Sequence, residues 1–139
     1  MSGGALPKRA LGLTGIEVSA LGLGAGPIGD HRISELDAER LVRTAVELGV
    51  TLIDTAPSYG ASEERVGRAI RGVRDQVTLV TKAGYGVAGE ADWTPRCLEG
   101  GIDLALKRLG TDRIDVLLLH SCSRERLERG DLLAPLASR

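Results

Sequence analysis

The sequence has no phenylalanine, and its aromatic residues come to one Trp and two Tyr. Any core it builds must be aliphatic. Cysteine is scarce as well: Cys97 and Cys122 lack the spacing of metal ligands, and two cysteines are too few for a disulfide framework. The default expectation is a reducing, cytoplasmic setting. Neither sign of charge dominates. Eighteen Lys and Arg face nineteen Asp and Glu, for a net charge of -1. That argues against nucleic acid or an anionic membrane surface as partner. No apolar run approaches the roughly 20 residues of a membrane span. The stretch Met1 to Leu13 carries basic residues but no continuous apolar segment, so no secretory signal is expected. What remains is a chain of 139 residues, 42% hydrophobic, of the size and composition of one globular domain.

Three short apolar runs organise that domain, and each ends on an ionisable residue. Val50-Thr51-Leu52-Ile53 ends in Asp54 and is followed by Thr55-Ala56-Pro57-Ser58-Tyr59-Gly60. Val77-Thr78-Leu79-Val80-Thr81 ends in Lys82, and Ile114-Asp115-Val116-Leu117-Leu118-Leu119 ends in His120. A buried carboxylate is costly unless something pairs with it, and Lys82 is available. Helical patterns separate the runs. Ala38, Leu41, Val42, Ala45 and Val46 recur at three- and four-residue steps, with Gly49 as the stop. Ser62 reads as a cap before Glu63 and Glu64, with Val66, Ala69 and Ile70 facing inward and Gly72 at the end. Thr94-Pro95 opens a third helix, with Leu98, Ile102, Ala105, Leu106 and Leu109 on its apolar face and Gly110 after it. Gly100 and Gly101 lie inside that helix, where each should cost about 1 kcal/mol relative to Ala.

Before these units, residues 1–8 read as a loose end and residues 9–19 as a hairpin around Thr14-Gly15. Residues 20–122 then supply four strands and three helices. Residues 123–139 read as the start of a fourth helix, interrupted by Gly130 and Pro135. Alternating strands and helices predict a parallel sheet covered by helices, and strands that are apolar at nearly every position agree. Two α/β architectures fit, a closed (β/α)8 barrel and an open doubly wound sheet. A complete barrel needs about 200 residues or more. On the barrel reading this is about the first half of one. Such a half-barrel has exposed edges, and self-association through them is expected.

If the strands are parallel, Asp54, Lys82 and His120 finish on one edge of the sheet beside Tyr59. A cation near Tyr59 stabilises its phenolate. Asp54 holds that cation, Lys82, in place, and His120 can hydrogen-bond a substrate oxygen. The group is a proton donor aimed at a carbonyl oxygen. A hydride must come from elsewhere, which implies a nicotinamide cofactor.

These residues, together with Leu11-Gly12-Leu13-Thr14-Gly15 and Val18-Ser19-Ala20-Leu21-Gly22-Leu23-Gly24, resemble the N-terminal half of the aldo-keto reductases. The resemblance covers the chain from about residue 9. It implies a TIM barrel that binds NADPH and reduces an aldehyde or ketone to an alcohol. Tyr59 then resembles the general acid, Lys82 and Asp54 the pair that tunes it, and His120 the residue that orients the carbonyl. Gly24-Ala25-Gly26, with Asp54, resembles the segment near the nicotinamide. The hairpin resembles the family's cap over the N-terminal end of the barrel. Most of the family's cofactor grip lies in later strands, so a catalytically inactive truncated fragment, or a half-barrel needing a partner, stands as the alternative.

A third reading competes. Gly24-Ala25-Gly26-Pro27-Ile28-Gly29 satisfies G-x-G-x-x-G, and Asp54 ends the next strand, as in a Rossmann dinucleotide site. That fingerprint needs a helix opening within the glycines. Here Pro27 and the polar loop 30–34 delay the helix to about residue 35. Elsewhere, His31 reads as solvated, and Arg124, Arg126 and Arg129 as a solvated face. Tyr85 and Trp93 lie in the loop after Lys82, where a barrel lines its substrate pocket. Trp93 can equally staple onto Leu98. Cys122 has no activating cluster near it in sequence, so a redox role has little support.

Overall fold

A computed structural model describes residues 6–138 of the chain. Residues 1–5 of the expected loose end lie outside the described residues. Two short strands, β1 (Lys8–Ala10) and β2 (Glu17–Ser19), pair antiparallel with Arg9 opposite Val18. The Thr14 hydroxyl closes the turn by donating to the Leu11 carbonyl at 2.6 Å. This is the hairpin expected around Thr14-Gly15.

A four-stranded sheet follows, made of β3 (Gly22–Gly24), β4 (Leu52–Asp54), β5 (Thr78–Ala83) and β6 (Val116–Leu119). The strands lie side by side in chain order and every pairing is parallel. Gly24 stands opposite Asp54, Asp54 opposite Val80, and Lys82 opposite Leu118. The ladder runs on past the strand ends. The Ala25 amide donates to the Asp54 carbonyl at 2.8 Å and the His120 amide to the Ala83 carbonyl at 3.0 Å. The carboxyl ends of all four strands are therefore level.

This order excludes the Rossmann reading. A dinucleotide fold reverses its strand order beside the first strand, whereas here the first strand of the sheet is at its edge. The glycine run also does other work. Pro27–Gly29 form a short 3-10 turn, and the next helix waits until Glu35. A Cβ on Gly29 would lie 1.6 Å from the Tyr59 carbonyl oxygen, so that glycine admits close passage of the Tyr59 loop.

Helices α1 (Glu35–Glu47), α2 (Ser62–Ala69) and α3 (Pro95–Leu109) cover one face of the sheet. Ile53 and Leu79 meet Val42, Val66, Ala69, Ala105 and Leu109 there in a core that is aliphatic throughout. Side chains alternate across a strand, so Asp54 and Lys82 fall on the opposite face. On α1 the contact centres on Ala38 and Val42, both fully buried. Leu41, expected on the same face, falls beside that seam and stays exposed. Thr94 caps α3 by accepting from the Cys97 amide, and Gly110 ends it in a left-handed conformation, both as expected. The paired glycines of α3 have a packing reason. A Cβ on Gly101 would come within 3.2 Å of the Ala83 side chain, and one on Gly100 within 3.1 Å of Val87.

The Ser62 cap is corrected. Ala61 holds the cap position. The Ser62 hydroxyl instead turns into the core, where it donates to the Ala25 carbonyl at 2.7 Å and meets the Thr55 hydroxyl at 2.8 Å. After β6 a short helix, α4 (Arg124–Glu128), stops before Gly130, which has a φ of 76°. A 3-10 segment over Ala134–Ser138 follows. Among the described residues no helix is long and apolar enough to cross a membrane, and no cluster of metal-binding side chains is present.

Candidate active site

The level strand ends bring the four sequence-predicted residues together. Lys82, on β5, is mostly buried, with 12% of its side chain exposed. Its ammonium has three protons to place and three oxygens around it. Asp54 Oδ1 lies at 2.8 Å, Asp54 Oδ2 at 2.9 Å and the Thr55 carbonyl at 2.8 Å. The pinned ammonium sits 4.9 Å from the centre of the Tyr59 ring, within the range of a cation–π contact. Tyr59 follows β4, and its ring meets the His120 ring edge-on, with centres 5.9 Å apart at 79°.

His120 follows β6. Burial lowers its pKa from the ordinary value of 6.5, and the nearby Lys82 charge lowers it further, with Asp54 acting the other way. The imidazole is therefore neutral at neutral pH. Its Nδ1 lies 3.2 Å from the Tyr85 hydroxyl, and the two rings are 5.2 Å apart. Tyr85 in turn packs on Trp93, with centres 5.9 Å apart. All three aromatic residues of the chain thus gather with His120 on this rim.

The segment after β3 divides in two. Ala25 is fully buried and its carbonyl is taken by Ser62, so its side chain presents nothing at the rim. Gly24 is exposed, with no atom within 4 Å of where a Cβ would be, whereas a Cβ on Gly26 would lie 3.7 Å from the Tyr59 ring. A cavity of about 640 Å³ opens beside Tyr59, between Gly26, Gly29, Asp30 and Ser58. His31, on its edge, is solvated as expected, with 93% of its side chain exposed. Buried Arg65 holds the loop that frames this cavity. It donates to the carbonyls of Ile28, Asp30 and Ile33 and to the Glu35 carboxylate.

Three features escaped the sequence reading. Tyr85 bonds His120, although nothing in their spacing pairs them. Arg126 is no solvated residue: 15% of its side chain is exposed, and its Nε donates to the Trp93 carbonyl at 2.8 Å while Asp131 pairs its far side. Glu63, read as a residue that suits the helix dipole, is 1% exposed and accepts from the Thr81 hydroxyl at 2.7 Å and from Arg108 at 3.2 Å. The one signal for the last was a Thr directly before Lys82 on a strand buried on both faces. Both cysteines are free thiols.

Comparison with known proteins gives a consistent answer. The profile of the aldo/keto reductase family matches residues 20–126. The chain is 38% identical over 119 residues to L-galactose dehydrogenase of Arabidopsis thaliana, which covers 81% of this chain and 37% of that protein. It superposes on the holo form of an aldo-keto reductase from Bacillus halodurans with a TM-score of 0.83 at 29% identity, covering 96% of this chain and 46% of that one. An aldo/keto reductase from Klebsiella pneumoniae, solved in complex with NADP and acetate, gives 0.67 at 35% identity, covering 85% and 42%. The chain thus spans less than half the length of these relatives, and its parallel strands and helices are (β/α) units of a TIM barrel, about half of one.

Proposed function

The chain belongs to the aldo/keto reductase family, and on that premise we propose that it carries the proton-handling half of an NADPH-dependent carbonyl reductase. Tyr59 is the general acid. Its phenol gives its proton to the oxygen of an aldehyde or ketone, and the Lys82 charge over the ring stabilises the phenolate left behind. Asp54 and the Thr55 carbonyl hold that ammonium in place, so the site is organised before the reaction begins. Neutral His120 donates a hydrogen bond to the same carbonyl oxygen and fixes its position. The hydride for the carbonyl carbon would be supplied by NADPH when bound. Gly24 suits its reacting end, since open backbone at the rim lets a flat ring approach. The NADP complex of the Klebsiella pneumoniae relative supports this choice of cofactor.

The observation that carries the reading is the three-oxygen seat of Lys82 under the Tyr59 ring, with His120 at the ring's edge. The experiment follows NADPH oxidation with a panel of small aldehydes and ketones, using the native chain and Tyr59→Phe. Loss of the acid is expected to lower kcat by about 100- to 10,000-fold. Equal turnover by both proteins would overturn the assignment. Added NADPH is also expected to raise the melting temperature, and no rise at millimolar cofactor would exclude binding by this chain.

One observation favours a second reading, in which the site works only after association. Among the described residues β3 and β6 each have a single strand neighbour, and Leu118 on β6 is 43% exposed. An open edge of this kind recruits another strand, and a second copy of the chain offers the matching edge. Light scattering is expected to report a dimer; a stable monomer would end this reading.

A further inference from the structure

Neutral imidazole has one N–H and one lone pair, and which nitrogen holds the proton is set by what the other one bonds. At His120 the partner of Nδ1 is the Tyr85 hydroxyl at 3.2 Å. A phenol O–H is a stronger donor than an imidazole N–H, and a phenol oxygen is a weak acceptor. The favourable arrangement therefore has Tyr85 donating and Nδ1 accepting, which leaves the proton on Nε2. The Tyr85 side chain is held for that task. Its ring leans on Trp93, and the Trp93 ring covers Gly84, where a Cβ would lie 2.2 Å from it. The Trp93 amide donates to the Gly84 carbonyl at 2.7 Å, and Arg126 holds the Trp93 carbonyl. The His120 backbone is fixed independently by the hydrogen bond its amide donates to the Ala83 carbonyl.

We propose that Tyr85 is a positioning residue for His120. It selects the Nε2–H tautomer and so makes His120 a hydrogen-bond donor to the substrate oxygen. This rests on the reading of His120 as the residue that orients the carbonyl. The tautomer itself can be measured without substrate or cofactor, so failed turnover and a wrong tautomer remain distinguishable.

Nitrogen-15 NMR of the imidazoles provides the test. The chain has two histidines, and solvated His31 serves as the internal reference. Native His120 is expected to show Nδ1 with the resonance of an unprotonated nitrogen and Nε2 with that of a protonated one. Tyr85→Phe keeps the ring against Trp93 and removes only the hydroxyl. The two His120 resonances are then expected to move toward each other as the tautomers mix, with His31 unchanged. A native Nδ1–H signal, or His120 resonances that do not respond to Tyr85→Phe in a protein with native circular dichroism, would overturn the proposal. A native Nδ1–H signal overturns the proposal even if the variant does not fold.

Discussion

Lys82 and Asp54 form one ion pair, yet their loss has unequal consequences. The Asp54 side chain is 39% exposed and can rehydrate, whereas only 12% of Lys82 is exposed. Lys82→Met removes the buried charge and fills its place with an apolar chain, so stability should barely change while kcat falls by about 100- to 1,000-fold. Asp54→Ala leaves a buried ammonium short of two acceptors and should cost about 1–3 kcal/mol in urea denaturation. His120 adds a pH dependence. Its pKa is lower folded than unfolded, so the unfolded chain binds the extra proton first. Above the ordinary value of 6.5 its effect is flat, and stability falls as pH drops from there to the folded value. His120→Gln should flatten that part of the stability profile. Asp54, Lys82 and His120 were legible in sequence because an apolar run that stops on an ionisable residue places that residue at a strand end, and Tyr59 was legible from the turn that follows Asp54. Tyr85 was legible only as a pocket residue. Its path depends on Gly84 at a φ of 136° and Trp93 at 60°, local conformations that no periodicity announces.

Among the elements, the first turn of α2 carries more than its length implies. Ser62 ties together the segments after β3 and β4, and Glu63 ties Thr81, directly before Lys82 on β5. One helical turn thus aligns three strand ends from behind. Glu63→Gln keeps an acceptor for Thr81 and should be mild, whereas Glu63→Leu strands a buried hydroxyl and should cost about 1–3 kcal/mol. The other end of α2 is fixed by contact. A Cβ on Gly67 would lie 2.3 Å from the Leu109 carbonyl oxygen, so Gly67→Ala must push α2 off α3. A loss of about 1–3 kcal/mol in thermal or urea unfolding is expected. Helix positions were legible from periodicity, terminal glycines and the Thr94 cap, while Ser62 was misread as a cap. The close approach of α2 to α3 was not, because a glycine inside a helix looks the same whether it is tolerated or required.

For the whole molecule, parallel order was legible because strands alternate with helices. The choice between an open sheet and a barrel was settled by the sequential strand order together with the superposition on aldo-keto reductases, both long-range properties. The edge strand β6 gives this scale its prediction. Leu118→Lys places a charge on an open edge, a device that blocks strand addition. If copies associate there, the substitution should turn a dimer into a monomer in light scattering while circular dichroism stays native.

The placement of every aromatic ring on the rim has a practical consequence for spectroscopy. An aliphatic core is silent in the near ultraviolet, so Trp93 emission and the near-ultraviolet dichroism report on Tyr59, Tyr85, Trp93 and their surroundings alone. Melting followed by those signals tracks the loosening of the rim, whereas far-ultraviolet dichroism tracks the helices behind the sheet. An emission curve that moves at lower temperature than the helical curve would mark a rim that opens while the scaffold is still folded.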